Sequence, residues 1–151
     1  MPVERRFYPP KDKKQLLDRL IDEDSPFSEY RDVLFFGAVL GWRLGLREPL
    51  DGRGEGIRWE VMRNRLGTEA VAAMIAAAAV DDPEVLAGDR GEERIMIVEE
   101  YANGGLVELE RRLAMEARPK GDVILDLIQE HLNADEPSAD GVDLTKSMLT
   151  W

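Results

Sequence analysis

The residues best suited to acid–base or metal chemistry are one histidine, His131, and several pairs of carboxylates. The chain has no cysteine, and one histidine without a second nitrogen or sulfur ligand excludes the usual zinc sites. The pairs Glu92-Glu93 and Glu99-Glu100 lack the DxDxDG order of a calcium-binding loop. Such pairs are typical of the solvated face of a helix, opposite an apolar stripe. We therefore predict no metal site and no cofactor.

Motifs for nucleophilic catalysis and phosphate binding are also missing from the sequence. No serine lies in a GxSxG motif, and no nucleophile stands at a recognisable spacing from His131. The glycine-rich segment 47–56, REPLDGRGEG, lacks the GxxxxGK[ST] order of a Walker-type loop. We therefore expect no catalytic residues and a non-enzymatic protein. The minor alternative is an enzyme with an unrecognised carboxylate site, which requires a pocket holding several carboxylates with shifted pKa values.

Charge is distributed unevenly along this 151-residue chain, whose formal net charge is −11. Residues 1–66 contain 13 Lys and Arg against 12 Asp and Glu, whereas residues 67–151 contain 7 against 19. A negative overall charge disfavours non-specific binding to nucleic acid, and it also suits a high-salt environment.

Two basic groups in the first half are candidate nucleic-acid-binding residues. The first group is interleaved with Phe7 and Tyr8, and both groups would contact DNA phosphates if they lay on one surface. The alternative is a solvated terminus with Phe7 packed on the domain. The candidates are Arg5, Arg6, Lys11, Lys13 and Lys14 in the first group, and Arg58, Arg63 and Arg65 in the second.

The longest apolar segment, residues 27–46 (FSEYRDVLFFGAVLGWRLGL), predicts a helix that is buried on most of its sides. Gly37 and Gly41 share one face of this helix and would let a second helix approach closely. The segment is too short and too closely flanked by charge for a membrane span. Because the first ten residues also lack the apolar run of a secretory signal, we expect a cytoplasmic protein without membrane contact.

Around this central helix, apolar residues at spacings of three and four predict a set of further helices. The alanine-rich segment 68–80 carries only Glu69 as a charge, so we interpret it as a core helix and reject it as a DNA-reading helix. The predicted fold is all-α, a single compact domain of about six to seven helices. The helical domain spans residues 11–133, after an extended basic lead (1–10) and before an acidic tail with an apolar end (134–151). The further helices are expected at residues 11–24, 57–66, 68–80, 92–103, 106–117 and 123–132.

The segment 99–105, EEYANGG, is the second distinctive stretch of the sequence. Asn103-Gly104-Gly105 lies between two helical patterns, and Asn and Gly tolerate the left-handed conformation of a helix end. The pattern therefore predicts a turn between two helices, which is either an ordinary joint or a contact surface for another protein. The candidate partner-binding residues are Glu99, Glu100, Tyr101, Asn103, Gly104 and Gly105.

Three stretches together resemble a known family. They are RRFYPPKDKKQ (5–15), YRDVLFFGAVLGWRLG (30–45) and IVEEYANGGLVEL (97–109). These stretches resemble the fourth family of small accessory proteins associated with the dnd system, encoded near the genes that replace a phosphate oxygen of DNA with sulfur. The resemblance covers about residues 4–132 and leaves the tail outside it.

The resemblance implies a place in a defence or modification cluster, beside larger ATPase, nuclease or sulfur-transfer subunits. It assigns no catalytic residues. The first functional hypothesis is a non-enzymatic accessory or adaptor protein of an anti-phage modification–restriction system, acting through protein–protein contacts. The second is a DNA-binding or regulatory module that uses the basic groups. A homodimer through the glycine-lined central helix or the apolar end of the tail is also possible.

Overall fold

The structure, a computed structural model, describes residues 4–132 and is built mainly of helices. This confirms the predicted all-α class. Short 3₁₀ turns occupy Lys11–Lys13, Pro83–Leu86 and Gly88–Arg90, and a π-helical turn occupies Ile128–Leu132. The six α-helices of residues 4–132 are α1 (Lys14–Leu20), α2 (Tyr30–Leu44), α3 (Trp59–Met62), α4 (Thr68–Val80), α5 (Gly91–Met115) and α6 (Lys120–Leu127).

Helix α2 lies at the centre of the fold, as the apolar segment 27–46 predicts. Its most extensive interface is with α5, and it also contacts α1, α4 and the π-helical turn. The helix ends at Gly45, whose φ of 70° is left-handed, and the amide of Leu46 then bonds to the carbonyl of Gly41. The core between α2 and its neighbours contains Leu17, Leu20, Val33, Leu34, Ala38, Leu40, Ala102, Leu106, Leu109 and Leu127.

Helix α5 corrects the prediction of two helices joined at residues 103–105. It runs unbroken for 25 residues, so Asn103, Gly104 and Gly105 lie in its middle. Each glycine inside a helix costs about 1 kcal/mol relative to alanine. Here the glycines let other parts of the main chain pack directly against α5. That tertiary packing stabilises a helix which the local pattern predicts to end.

A two-stranded antiparallel sheet joins the start of the chain to the segment after α2. Strand β1 (Arg6–Phe7) pairs with β2 (Ile57–Arg58), with Arg6 opposite Arg58 and Phe7 opposite Ile57. The helix predicted at 57–66 is therefore wrong at both ends: residues 57 and 58 are extended, and α3 ends at Met62. Pairing with the lead satisfies the backbone groups that a helix would otherwise satisfy.

Helix α4 is a core helix on one face only. Ala72, Ile75 and Ala76 are buried, whereas Met74 on the opposite face is 60% exposed. The prediction from the alanine-rich pattern is thus correct for one face and wrong for the other. Within residues 4–132, no helix combines the length and the hydropathy needed to cross a membrane. The predicted tail, 134–151, lies outside the described residues.

Candidate functional site

The carboxylate of Glu99 fastens the N-terminal lead to the middle of α5. Glu99 is 3% exposed, and its Oε2 accepts a hydrogen bond from the backbone N–H of Tyr8 at 2.5 Å. Burial, with a smaller contribution from the nearby Glu100 carboxylate, raises the pKa of Glu99 to about 7, although the Tyr8 hydrogen bond and the charge of Arg53 lower it. Glu99 therefore exchanges its proton near neutral pH.

Glu99 lines a cavity of about 190 Å³ between the lead, the segment 47–56 and α5. The guanidinium carbon of Arg53 lies 4.7 Å from the centre of the Tyr8 ring, a cation–π contact. Three arginines and three glutamates line the wall, so the cavity holds equal numbers of basic and acidic side chains. The charged residues that line it are Arg5, Arg6, Arg53, Glu4, Glu92 and Glu99.

Two further residues of the EEYANGG segment hold the loop that follows α2. The Nδ2 of Asn103 donates to the carbonyls of Glu48 and Pro49 at 3.3 and 3.1 Å, and Asn103 is 6% exposed. The Oε1 of Glu100 accepts from Nε of Arg47 at 2.8 Å, and the Glu100 carbonyl accepts from the amide of Glu48 at 3.1 Å. These bonds fix residues 47–49 against α5.

The glycines of the same segment let the main chain approach α5. A Cβ on Gly104 would overlap the carbonyl of Leu46, and one on Gly105 would overlap the carbonyl of Gly37. Four of the six candidate partner-binding residues therefore face the interior, and only Glu100 and Tyr101 are half-exposed. Their contact with a partner stays a prediction. The glycine-lined face of α2, which could serve a homodimer, is covered by α5 of the same chain.

A groove of about 410 Å³ brings together cationic side chains from both basic groups. The pairing of β1 with β2 sets Arg6 opposite Arg58, the turn before α1 adds Lys11, and the first residue of α1 adds Lys14. Glu55 is the one carboxylate among the residues that line this groove. The apolar and aromatic residues that line it are Pro9, Pro10, Leu17, Tyr30 and Ile57.

The other candidate cations are engaged elsewhere. Arg63 pairs with Glu69 at 3.3 Å, and Arg65 pairs with Asp32 at 3.0 Å. The hydrogen bonds that Arg65 donates to the carboxylate of Asp32 raise the pKa of Arg65, which therefore stays charged.

Two more of the candidates lie in the first basic group. The amine of Lys13 pairs with Asp12 at 3.0 Å. The guanidinium of Arg5 donates to the carbonyl of Gly88 at 3.0 Å and fills the space beside Gly91. The two basic groups therefore share one groove through only four of their eight members.

The apolar residues of the groove are functional candidates that sequence reasoning missed. Leu17 is a buried core residue that borders the groove and Ile57 is half-exposed in it, and a local pattern does not show which apolar side chains border a depression. The signal that could have found this groove is the pair of prolines, Pro9 and Pro10, beside the basic residues.

A second, larger depression of about 510 Å³ lies between α3, α4 and the start of α5. Its charged residues are Glu4, Arg5, Arg58, Glu60, Arg63, Glu69 and Arg94.

These features define a small helical domain whose distinctive residues build its interior and whose outer surface offers a basic groove with apolar walls. The family model for DNA sulphur modification system-associated protein 4 matches residues 6–147, and the chain belongs to this family. The match confirms the resemblance and corrects its extent, because it continues past residue 132 into the tail. No curated protein and no solved structure matches the chain significantly.

Proposed function

We propose that this protein is a non-enzymatic accessory subunit of the DNA sulphur modification system with which its family is associated. It acts as an adaptor, through protein–protein contacts with the larger subunits of a defence system. The family membership supports the context. The observation that carries the adaptor role is the internal use of the EEYANGG segment, which creates a rigid scaffold.

That scaffold joins three parts of the chain. Glu99 holds the amide of Tyr8 in the lead, and Asn103 holds the carbonyls of Glu48 and Pro49 in the loop after α2. Gly105 seats α5 directly on α2. The lead and the far end of this loop, residues 54–56, line the basic groove, so the segment helps to fix an outer surface in one shape. A preformed surface loses little conformational entropy on binding, which favours its use as a docking platform.

Purification of the tagged protein from its native host, at the host's own salt concentration, tests the adaptor role. We expect mass spectrometry to identify subunits of the DNA sulphur modification system in the eluate, before and after nuclease treatment. A chain carrying the same tag but with Gly105→Trp, which cannot seat α5 on α2, serves as the unfolded control. Recovery of none of these subunits, or modification or cleavage of DNA by the purified protein alone, would contradict the proposal.

A DNA-binding or regulatory module is the second candidate function. The position of Arg6 opposite Arg58, beside Lys11 and Lys14, favours it. Four phosphate contacts predict that the logarithm of the binding constant falls with the logarithm of salt concentration at a slope of about −3.6. Titration of a labelled 20-base-pair duplex at several salt concentrations measures that slope, and a slope near zero would contradict this function.

A further inference from the structure

We propose that the groove lined by Arg6, Lys11, Lys14 and Arg58 binds an acidic peptide segment of a partner subunit through one apolar anchor side chain. This proposal rests on the adaptor function and names its contact surface. In this groove, cations from both strands of the sheet, Arg6 and Arg58, lie beside apolar residues.

The apolar part of the groove is rigid before any partner binds. Pro9 and Pro10 have fixed φ angles, and the Pro9 carbonyl accepts the amide of Gly54 at 2.8 Å. The amide of Lys11 donates to the carbonyl of Gly52 at 3.1 Å, which ties the same stretch of chain to this loop at a second point. Its volume of about 410 Å³ lies within the range of about 300–1,000 Å³ typical of ligand sites. The groove therefore has room for an apolar side chain without rearrangement.

Arg6 donates to the carbonyl of Gly56 at 3.2 Å and pairs with Glu4 at 3.4 Å, whereas the other three cations of the groove are available for new partners. Lys11 is exposed and has no carboxylate within 4.0 Å among residues 4–132. Lys14 lies 3.7 Å from Asp18, and Arg58 lies 4.0 Å from Glu4. Exposed ion pairs of this kind contribute about 0–1 kcal/mol, so incoming carboxylates replace them at little cost.

Three observations favour a peptide over DNA. A duplex presents closely spaced phosphates to a groove and would leave the half-exposed apolar surface of Tyr30 and Ile57 uncovered. Glu4, Asp18 and Glu55 lie beside the cations and repel a continuous polyanion. The net charge of −11 opposes long-range attraction of DNA. A peptide combines carboxylates with an apolar side chain and satisfies both parts of the groove.

Zero-length carbodiimide coupling in the purified native complex identifies the occupant, because it joins a lysine amine to a carboxylate in direct contact. We expect Lys11 and Lys14 to couple to an Asp- or Glu-rich segment of a co-purifying subunit. Coupling to acidic residues of this chain's own segment 133–151 would overturn the proposal in favour of an internal occupant. A complex that forms without any coupling at these lysines would overturn it while leaving the adaptor function intact.

A synthetic peptide with the coupled sequence then gives the binding constants. We expect Lys14→Glu to weaken binding at least tenfold, and replacement of the peptide's apolar anchor by serine to do the same. Arg19→Glu, on the same helix but outside the groove, is the matched control and should change the affinity less than twofold. Circular dichroism establishes that both variants fold. Equal effects of the two substitutions, or displacement of the peptide by a 20-base-pair duplex, would overturn the proposal.

Discussion

Gly105 of α5 lies so close to Gly37 of α2 that a methyl group on Gly105 would overlap the Gly37 carbonyl. One turn along, a Cβ on Gly41 would overlap the carbonyl of Tyr101 and lie 3.0 Å from the amide nitrogen of Gly105. The two helices therefore meet backbone to backbone, where dispersion contacts are dense. This crossing fixes the position of the helix that carries Glu99 and Asn103, and through them the lead and the loop.

The substitution Gly105→Ala tests the helix crossing. Alanine gains about 1 kcal/mol of helix propensity, but its methyl group forces α2 and α5 apart. Overpacking of this kind costs about 1–3 kcal/mol and more where only backbone can move. We expect a net loss in the free energy of unfolding, measured in urea. Gly121→Ala in α6 is the control, because its Cβ meets only the Asp24 carbonyl at 3.7 Å and it should be neutral or stabilising.

Because the carboxyl group of Glu99 is buried, we expect the protein to lose stability as the pH rises. Its pKa is about 7 in the folded chain against an ordinary value of 4.5, so folding increases proton affinity. The resulting stabilisation is fully present below pH 4.5 and is lost as the pH rises through 7. Between pH 5 and 8 we expect the free energy of unfolding to fall by about 2–3 kcal/mol from this group.

The variant Glu99→Gln should abolish that decline between pH 5 and 8, because an amide does not titrate. Glu92→Gln is the matched control, since Glu92 lines the same cavity but is exposed, and it should retain the decline. Urea unfolding at half-unit pH intervals measures both. An unchanged pH profile in Glu99→Gln would show that Glu99 is not the titrating group.

The substitution Asn103→Asp should cause a specific loss of order in the loop after α2. In Asn103→Asp, an acceptor-only carboxylate replaces the amide that donates to the carbonyls of Glu48 and Pro49. A buried charge facing two carbonyl oxygens should destabilise the fold by about 2–4 kcal/mol. Hydrogen exchange at the backbone amide of Glu48 should also be faster in Asn103→Asp. The same change at exposed Asn64 should alter neither quantity, and equal effects at both sites would rule out the proposed role of Asn103.

Arg112 joins the end of α5 to the π-helical turn. Its guanidinium donates to both carboxylate oxygens of Glu130, at 2.8 and 3.1 Å, and to Glu116 at 3.2 Å. Arg112→Lys keeps the charge but loses the bidentate hydrogen bonding to Glu130, so we expect the free energy of unfolding to fall by about 0.5–1 kcal/mol. Arg111→Lys, whose partner Glu108 lies on the same helix, should cost less.

The same contact has a pH dependence that urea unfolding detects. Arg112 holds the pKa of Glu130 below its usual value, so this stabilisation is present above the ordinary carboxyl pKa and is lost as the pH falls through the lowered one. A double-mutant cycle of Arg112→Lys with Glu130→Gln should therefore give a coupling energy at pH 7 that vanishes in strong acid. A cycle without coupling at pH 7 would show that the contact between Arg112 and Glu130 does not stabilise the fold.

The sequence by itself determined the helical class, the central position of α2 and the close approach at Gly37 and Gly41. It also contained enough of the family's pattern to identify the family. These features follow from local regularities: a long apolar segment must be buried, and two glycines four residues apart must share a helix face. No knowledge of the neighbouring segments is needed to infer them.

Only the tertiary structure decided what the EEYANGG segment and the basic residues do. Gly104 and Gly105 favour a helix end locally, but packing against Leu46 and Gly37 keeps α5 continuous and turns Asn103 inward. Arg6 and Arg58 meet through a strand register between segments that are distant in the chain. Such outcomes depend on long-range contacts, which a local pattern of residue types does not encode.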